Sequence, residues 1–144
     1  MILAVDPGSD KTGMAILYDD GRLQWKGIVP SPEVEKETAA ALRQYHLTAV
    51  VMGNGTRHKE MKARLEQVLA AGGSSLPVTL VDEKYTTEMG KVRYWEHHKP
   101  KGLMRLIPQG MRTIPVPVDD YVAWIIGQIY LGIVKPEDIG HKKV

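Results

Sequence analysis

The chain has 144 residues, of which 43% are hydrophobic and 25% charged, the balance of a folded domain large enough for its own core. It has no cysteine, which excludes disulfides, thiolate zinc sites and thiol nucleophiles, and no apolar run long enough to span a bilayer. The formal net charge of +2 is mild, so affinity for a polyanion must come from where the charges sit. The first residues read as a strand rather than a secretory signal, and the expected location is the cytoplasm.

Ile2 to Val5 is an unbroken apolar run, read as a strand buried on both faces, and it stops on Asp6. Pro7-Gly8 breaks the strand there, and the apolar run from Met14 to Tyr18 predicts a reversal into a hairpin. Asp19-Asp20-Gly21 is a second turn, and Arg22 to Val29 returns with alternating polarity as a third strand. Pro30-Ser31-Pro32 predicts a helix start, with Ser31 as N-cap, Pro32 at the first helical position and Glu33 in the first turn. Val34, Thr38, Ala41, Leu42 and Tyr45 then share one helical face. Thr48 to Met52 is a fourth strand, closed by Gly53-Asn54-Gly55. Thr56 is placed to cap a second helix with Met61, Leu65, Val68 and Leu69 as its buried stripe, and His58, Lys59, Lys62 and Arg64 as its wet face. Gly72-Gly73 ends that helix.

Pro77 to Val81 is a fifth strand, ended by Asp82-Glu83. A third helix is predicted from about Thr86 to Trp95, and the stretch from His97 to Val118 breaks into prolines, glycines and basic residues without an acid. Asp119-Asp120 opens a strongly apolar last helix, whose expected buried face is Val122, Ile125, Ile126, Ile129, Tyr130 and Ile133. Lys135-Pro136 ends it before a polar tail over residues 135–144. The later alternation of strand and helix implies parallel pairing with right-handed crossovers. The expected fold class is α/β, in one domain spanning residues 1–144.

The acids mark where chemistry would sit. Asp6 ends the first strand, Glu83 follows the fifth, and Asp119 and Asp120 begin the last helix. If the first and fifth strands share one half of the sheet, their C-terminal ends open on the edge where ligands gather. Crowded carboxylates repel, and hard divalent cations relieve them; Mg2+ takes oxygen ligands and shares its sphere with substrate phosphates. A pair of such ions suits phosphodiester hydrolysis. Asp6 is equally placed to be a turn former, Asp82 and Glu83 a solvated loop start, and at least one of Asp119 and Asp120 a favourable first-turn charge.

Asp6-Pro7-Gly8-Ser9 with Gly13, then Val81 to Thr87, then Val118 to Ala123, resemble three signatures of the YqgF-type, RuvC-like nucleases. The resemblance covers most of the chain, from Ile2 to about Leu131. It implies the ribonuclease H-like fold, a five-stranded mixed sheet in the order 3-2-1-4-5 flanked by helices. It also implies a metal-dependent nuclease of ribosomal RNA precursors or Holliday junctions. On the matching positions, Asp6, Glu83 and Asp119 are the implied catalytic and Mg2+- or Mn2+-binding acids, with Asp120 a further metal ligand or a substitute. The chain departs from the pattern in having only Gly53-Asn54-Gly55 where the family often carries a longer loop, and a proline-rich rather than densely lysine-rich segment before Asp119. It also has Val122 where resolvases carry a fourth acid.

Lys99, Lys101, Arg105 and Arg112 lie between the second and third acidic signatures, with Lys11 in the first turn. They are the expected phosphate contacts to structured RNA or branched DNA, holding a backbone without reading sequence; a solvated loop is the plain alternative. Trp95 fits helix core better than base stacking. The expected activity is phosphodiester hydrolysis, with no membrane partner and with monomer or homodimer left open. A non-catalytic nucleic-acid-binding module of the same fold is the first alternative. A sugar-kinase or actin-like ATPase fragment is the second, since Asp-x-Gly-x-x-x-x-Gly resembles that group's phosphate loop; one domain supplies only half of its nucleotide clasp.

Overall fold

The computed structural model describes residues 1–55, 58–82, 86–98 and 117–134. Strands β1 (Ile2–Asp6), β2 (Lys11–Leu17) and β3 (Leu23–Pro30) are followed by helix α1 (Val34–Gln44), strand β4 (Ala49–Gly53), helix α2 (His58–Ala71) and strand β5 (Val78–Val81). Helices α3 (Thr86–His97) and α4 (Asp119–Tyr130) complete the described chain. The strands form one sheet in the order β3-β2-β1-β4-β5. β1–β2 and β2–β3 pair antiparallel, while β1–β4 and β4–β5 pair parallel. The fold is the five-stranded mixed α/β arrangement that the sequence led us to expect. Among the described residues no helix is long and apolar enough to cross a membrane.

Alternation along the strands sends side chains to two separate cores. Leu3, Val5, Met14, Ile16, Val50 and Met52 pack with Val34 and Ala41 of α1 and Met61, Leu65 and Leu69 of α2. Ile2, Ala4, Ala15, Leu17 and Val51 pack on the other face with Tyr94 of α3 and Tyr121, Val122, Ala123 and Ile126 of α4. Gly127 is what lets α4 lie close: a Cβ there would stand 2.8 Å from a Leu17 methyl and 3.3 Å from the Ala4 Cβ.

Three local expectations are corrected. Ser31 makes no capping bond; Ser31–Glu33 is a short 3-10 turn before α1, and the buried Ser31 side chain turns inward. Its hydroxyl donates to the Gly8 carbonyl at 2.7 Å and lies 2.8 Å from the Thr12 hydroxyl. Arg64 is not merely a wet-face residue: its guanidinium clasps both Glu35 oxygens and donates to the Ser31 carbonyl at 2.6 Å, joining α2 to α1. Tyr130 and Ile133 are 43% and 50% exposed rather than buried, because the helix ends at Tyr130 and the chain turns through Leu131 and Gly132. Their place in the α4 interface is taken by Tyr121, Ala123 and Gly127. The Thr56 cap and the polar tail over residues 135–144 lie outside the described residues.

Candidate functional site

The C-terminal edge of the parallel strands carries the candidate site. Asp6 ends β1, where the Pro7-Gly8 turn takes over, and its cross-strand partner on β2 is Gly13. Asp6 follows Ile2 and Ala4 in the alternation, which places it on the α4 face of the sheet. The first turn of α4 rests on Gly13. A Cβ built there would stand 1.9 Å from the Asp119 carbonyl oxygen and 3.0 Å from the Asp119 Cβ. Only a glycine admits that approach. Two acids more than a hundred positions apart in sequence are thereby brought to the same strand end.

The turn that carries Asp6 is tied down from below. Gly8 N–H donates to the Thr12 hydroxyl at 3.4 Å, and Thr12 meets Ser31, whose hydroxyl holds the Gly8 carbonyl. Ser31 N–H donates to the Asp10 carbonyl at 2.8 Å. Thr12 and Ser31 are both buried, so each hydroxyl must find a partner inside the protein, and the partners they find fix this turn. Arg64 holds the Ser31 carbonyl in turn.

Asp119 and Asp120 have different surroundings. Asp120 Oδ2 lies 2.5 Å from Lys26 Nζ on β3, and its Oδ1 accepts from the Tyr121 N–H at 2.9 Å. The Lys26 ammonium also stands 4.0 Å from the centre of the Tyr121 ring, a cation–π contact that helps hold it in place. Asp119 instead has its carboxyl pushed above the ordinary 3.8, first by burial and then by the neighbouring Asp120 charge, with Lys11 pulling the other way. A partly desolvated carboxylate of this kind is costly to ionise unless a cation joins it.

On β5, Val81 pairs with Gly53 of β4, and the Asn54 N–H donates to the Val81 carbonyl at 3.1 Å. The chain therefore leaves β5 at Asp82 from the same edge as Asp6, with β4 between them. Adjacent strands lie about 4.8 Å apart, so the two strand ends are separated by roughly 10 Å. Glu83 itself lies outside the described residues, as do Lys99, Lys101, Arg105 and Arg112. Among the described residues no group of three or more His, Asp or Glu side chains is placed to hold a metal ion. Lys11 is exposed at the start of β2, beside the Asp119 end of α4.

Sequence reasoning missed Lys26, Thr12 and Ser31. Alternation in β3 was the available signal for Lys26, since it places that residue on the α4 face; the hydroxyl pair left no signal. Trp95 is half-buried, edge-on to Tyr94, within the α3–α4 core.

The structure of Thermus thermophilus RuvC matches this architecture with a TM-score of 0.52 and 14% identity, over 94% of this chain and 98% of that one. The chain has the ribonuclease H-like fold. At that identity the likeness is one of fold alone. A ROK family glucokinase from Streptomyces griseus, solved with glucose and AMPPNP, overlaps at a TM-score of 0.39 and 19% identity, over 65% of this chain and 36% of its own. A ROK family protein from Streptococcus pneumoniae, solved with sucrose, overlaps at 0.41 and 19% identity, over 67% and 38%. Both overlaps are too loose to bear on this chain. No family model and no curated protein matches it.

Proposed function

We propose that this chain is a divalent-metal-dependent nuclease of structured nucleic acid, with Asp6, Asp119 and Glu83 as its metal-holding acids. The observation that carries the reading is the seating of Asp119 on Gly13, the cross-strand partner of Asp6. The donor set fits the group: carboxylate oxygens suit Mg2+ or Mn2+, and Asp119 is an acid whose ionised form burial and Asp120 disfavour. Mg2+ bound there would supply positive charge for a phosphodiester's transition state and acidify an attacking water.

The chain's own residues do the rest. The Thr12–Ser31 pair holds the Asp6 turn in one conformation, and α4 presents Asp119 from a rigid helix start. Lys26 neutralises Asp120, which leaves Asp119 as the principal acid of the pair and gives Asp120 a supporting role. Lys11 is placed to meet a phosphate at the same edge. Lys99, Lys101, Arg105 and Arg112 remain proposed contacts to more distant phosphates.

The test is cleavage of a labelled four-way DNA junction and a stem-loop RNA in Mg2+ or Mn2+. The parent should cut one of them, and Asp6→Asn and Asp119→Asn should fall by at least about a hundredfold, in line with loss of metal charge stabilisation. Undiminished cleavage by either variant would contradict the reading. A non-catalytic nucleic-acid-binding module is the second reading. It is favoured by Val122, 2% exposed and packed under Gly90, a position that admits no fourth acid.

A further inference from the structure

Beside the acids lies a groove of about 370 Å³ lined by Lys11, Ile28, Val29, Pro30 and Pro117. Its position relative to the site follows from the register of β2 and β3. Lys11 faces Pro30, Thr12 faces Val29, and Gly13 faces Ile28. Ile28 is thus the β3 neighbour of the glycine that carries Asp119, and Asp6, Gly13 and Ile28 form one row across three strands. With strands about 4.8 Å apart, the groove wall stands roughly 10 Å from the Asp6 strand end. Pro117 closes the groove from the helix side, two residues before Asp119.

The lining has a definite chemistry. Ile28 and the rings of Pro30 and Pro117 present apolar hydrocarbon surface, and they offer no side-chain hydrogen bond to a base edge. Among the described residues that line the groove, Lys11 supplies the one positive charge. Apolar walls with one cation match a flat ring attached to a phosphate, and the volume falls in the range of small-ligand sites. A paired base is stacked and hydrogen-bonded within its helix and cannot enter.

We infer that this groove receives one unpaired nucleotide next to the phosphate held at the acids, with its base against Ile28, Pro30 and Pro117 and its phosphate on Lys11. The inference rests on the nuclease reading for the position of that phosphate, and it adds what the substrate must offer there: a bulged, flipped or single-stranded nucleotide, accepted without regard to base identity.

The experiment compares binding of two DNA duplexes in Ca2+, one fully paired and one carrying a single unpaired 2-aminopurine whose fluorescence reports its surroundings. The parent should bind the bulged duplex about tenfold more tightly, the order of gain expected from taking one base face out of water against apolar side chains. 2-Aminopurine emission should change on binding, and replacing it by another unpaired base should leave the preference unaltered. Ile28→Trp, which fills the groove, should reduce the preference to about one while leaving affinity for the paired duplex and Mn2+ binding as in the parent. Lys11→Gln, at an exposed position, serves as a second variant that does not touch the core; it should weaken binding of the bulged duplex at least about twofold through loss of one phosphate contact, and unchanged affinity would overturn the placing of that phosphate on Lys11. Equal affinity of the parent for both duplexes, no binding to either, or a preference that survives Ile28→Trp would overturn the groove. Mn2+ titration keeps the two claims apart. A preference without Mn2+ binding sinks the nuclease reading and leaves the groove standing, and Mn2+-dependent cleavage without a preference does the reverse.

Discussion

The two faces of the sheet treat their acids in opposite ways. On the α1–α2 face, the Arg64 guanidinium clasps Glu35 and holds its carboxyl below the ordinary 4.5. On the α4 face, burial and Asp120 hold the Asp119 carboxyl above the ordinary 3.8. The first acid finds its cation within the chain, on the neighbouring helix. For the second, Lys11 offsets the penalty only in part, and Lys26 on β3 is committed to Asp120. Helix seating differs in the same sense. The α1–α2 face is closed by ordinary apolar side chains, whereas α4 comes close enough to touch backbone at Gly13 and Leu17 methyls at Gly127. Both faces bury an apolar core, and among the described residues only the α4 face seats a helix start directly on a strand glycine beside an acid.

The largest effect should come from the α1–α2 face. Leu65 is fully buried in the α2 layer, so Leu65→Ala should cost about 2–5 kcal/mol in denaturant unfolding. The folded fraction should still bind Mn2+ as the parent does, and a lost Mn2+ site would blur the distinction between faces. Gly13→Ala attacks the other face. Its Cβ would overlap the Asp119 backbone, so stability should fall by about 1–3 kcal/mol, and Mn2+ binding should weaken far more than in Leu65→Ala. Parent-like Mn2+ affinity in Gly13→Ala would show that the seating of α4 does not define the site.

Ser31→Ala should cost about 1–3 kcal/mol, because the Thr12 hydroxyl and the Gly8 carbonyl lose a buried partner. Amide exchange in the Gly8 to Thr12 turn should quicken.

The smallest effects concern pH, and their signs differ. Glu35 has a lowered folded value, so its contribution is present above the ordinary 4.5 and is lost as pH falls through the folded value. Glu35→Gln should therefore lower Tm at neutral pH, by less than about 1 kcal/mol of stability for so exposed a pair, with the deficit vanishing in acid. Asp119 has a raised folded value, so its penalty is absent below 3.8 and grows as pH rises through the folded value. Metal-free Asp119→Asn should melt above the parent at neutral pH and equal to it in acid. Shifts of the same sign in the two variants, measured by scanning fluorimetry, would erase the contrast.

Much of the fold was legible because apolar runs and breakers coincide. Val5-Asp6-Pro7-Gly8, Gly53-Asn54-Gly55 and Gly72-Gly73 each stop an element where a carboxylate, glycine or proline interrupts periodicity. Ser31 was misread because Pro-Ser-Pro is a good local helix start, whereas its hydroxyl is claimed by a turn more than twenty positions earlier. Arg64 was misread for a similar reason: helical spacing says which face it occupies, but not that Glu35 lies across the interface. The acids at Asp6 and Asp119 could be named from their places at element ends. Gly13, whose missing Cβ lets the first turn of α4 seat beside the Asp6 strand end, reads in sequence only as one more turn glycine. The different surroundings of Asp119 and Asp120 depend on Lys26; alternation in β3 gives its face, but not that Asp120 lies across from it.

The central claim is that Asp6 and Asp119 hold a divalent cation together while Asp120 is kept out by Lys26. Calorimetric titration of Mn2+ into the parent, Asp6→Asn, Asp119→Asn and Asp120→Asn measures it directly. The account predicts saturable binding by the parent, loss in Asp6→Asn and Asp119→Asn, and a change of no more than about threefold in Asp120→Asn, the size of a supporting contact. Absence of binding in the parent, or equal losses in Asp119→Asn and Asp120→Asn, would contradict it.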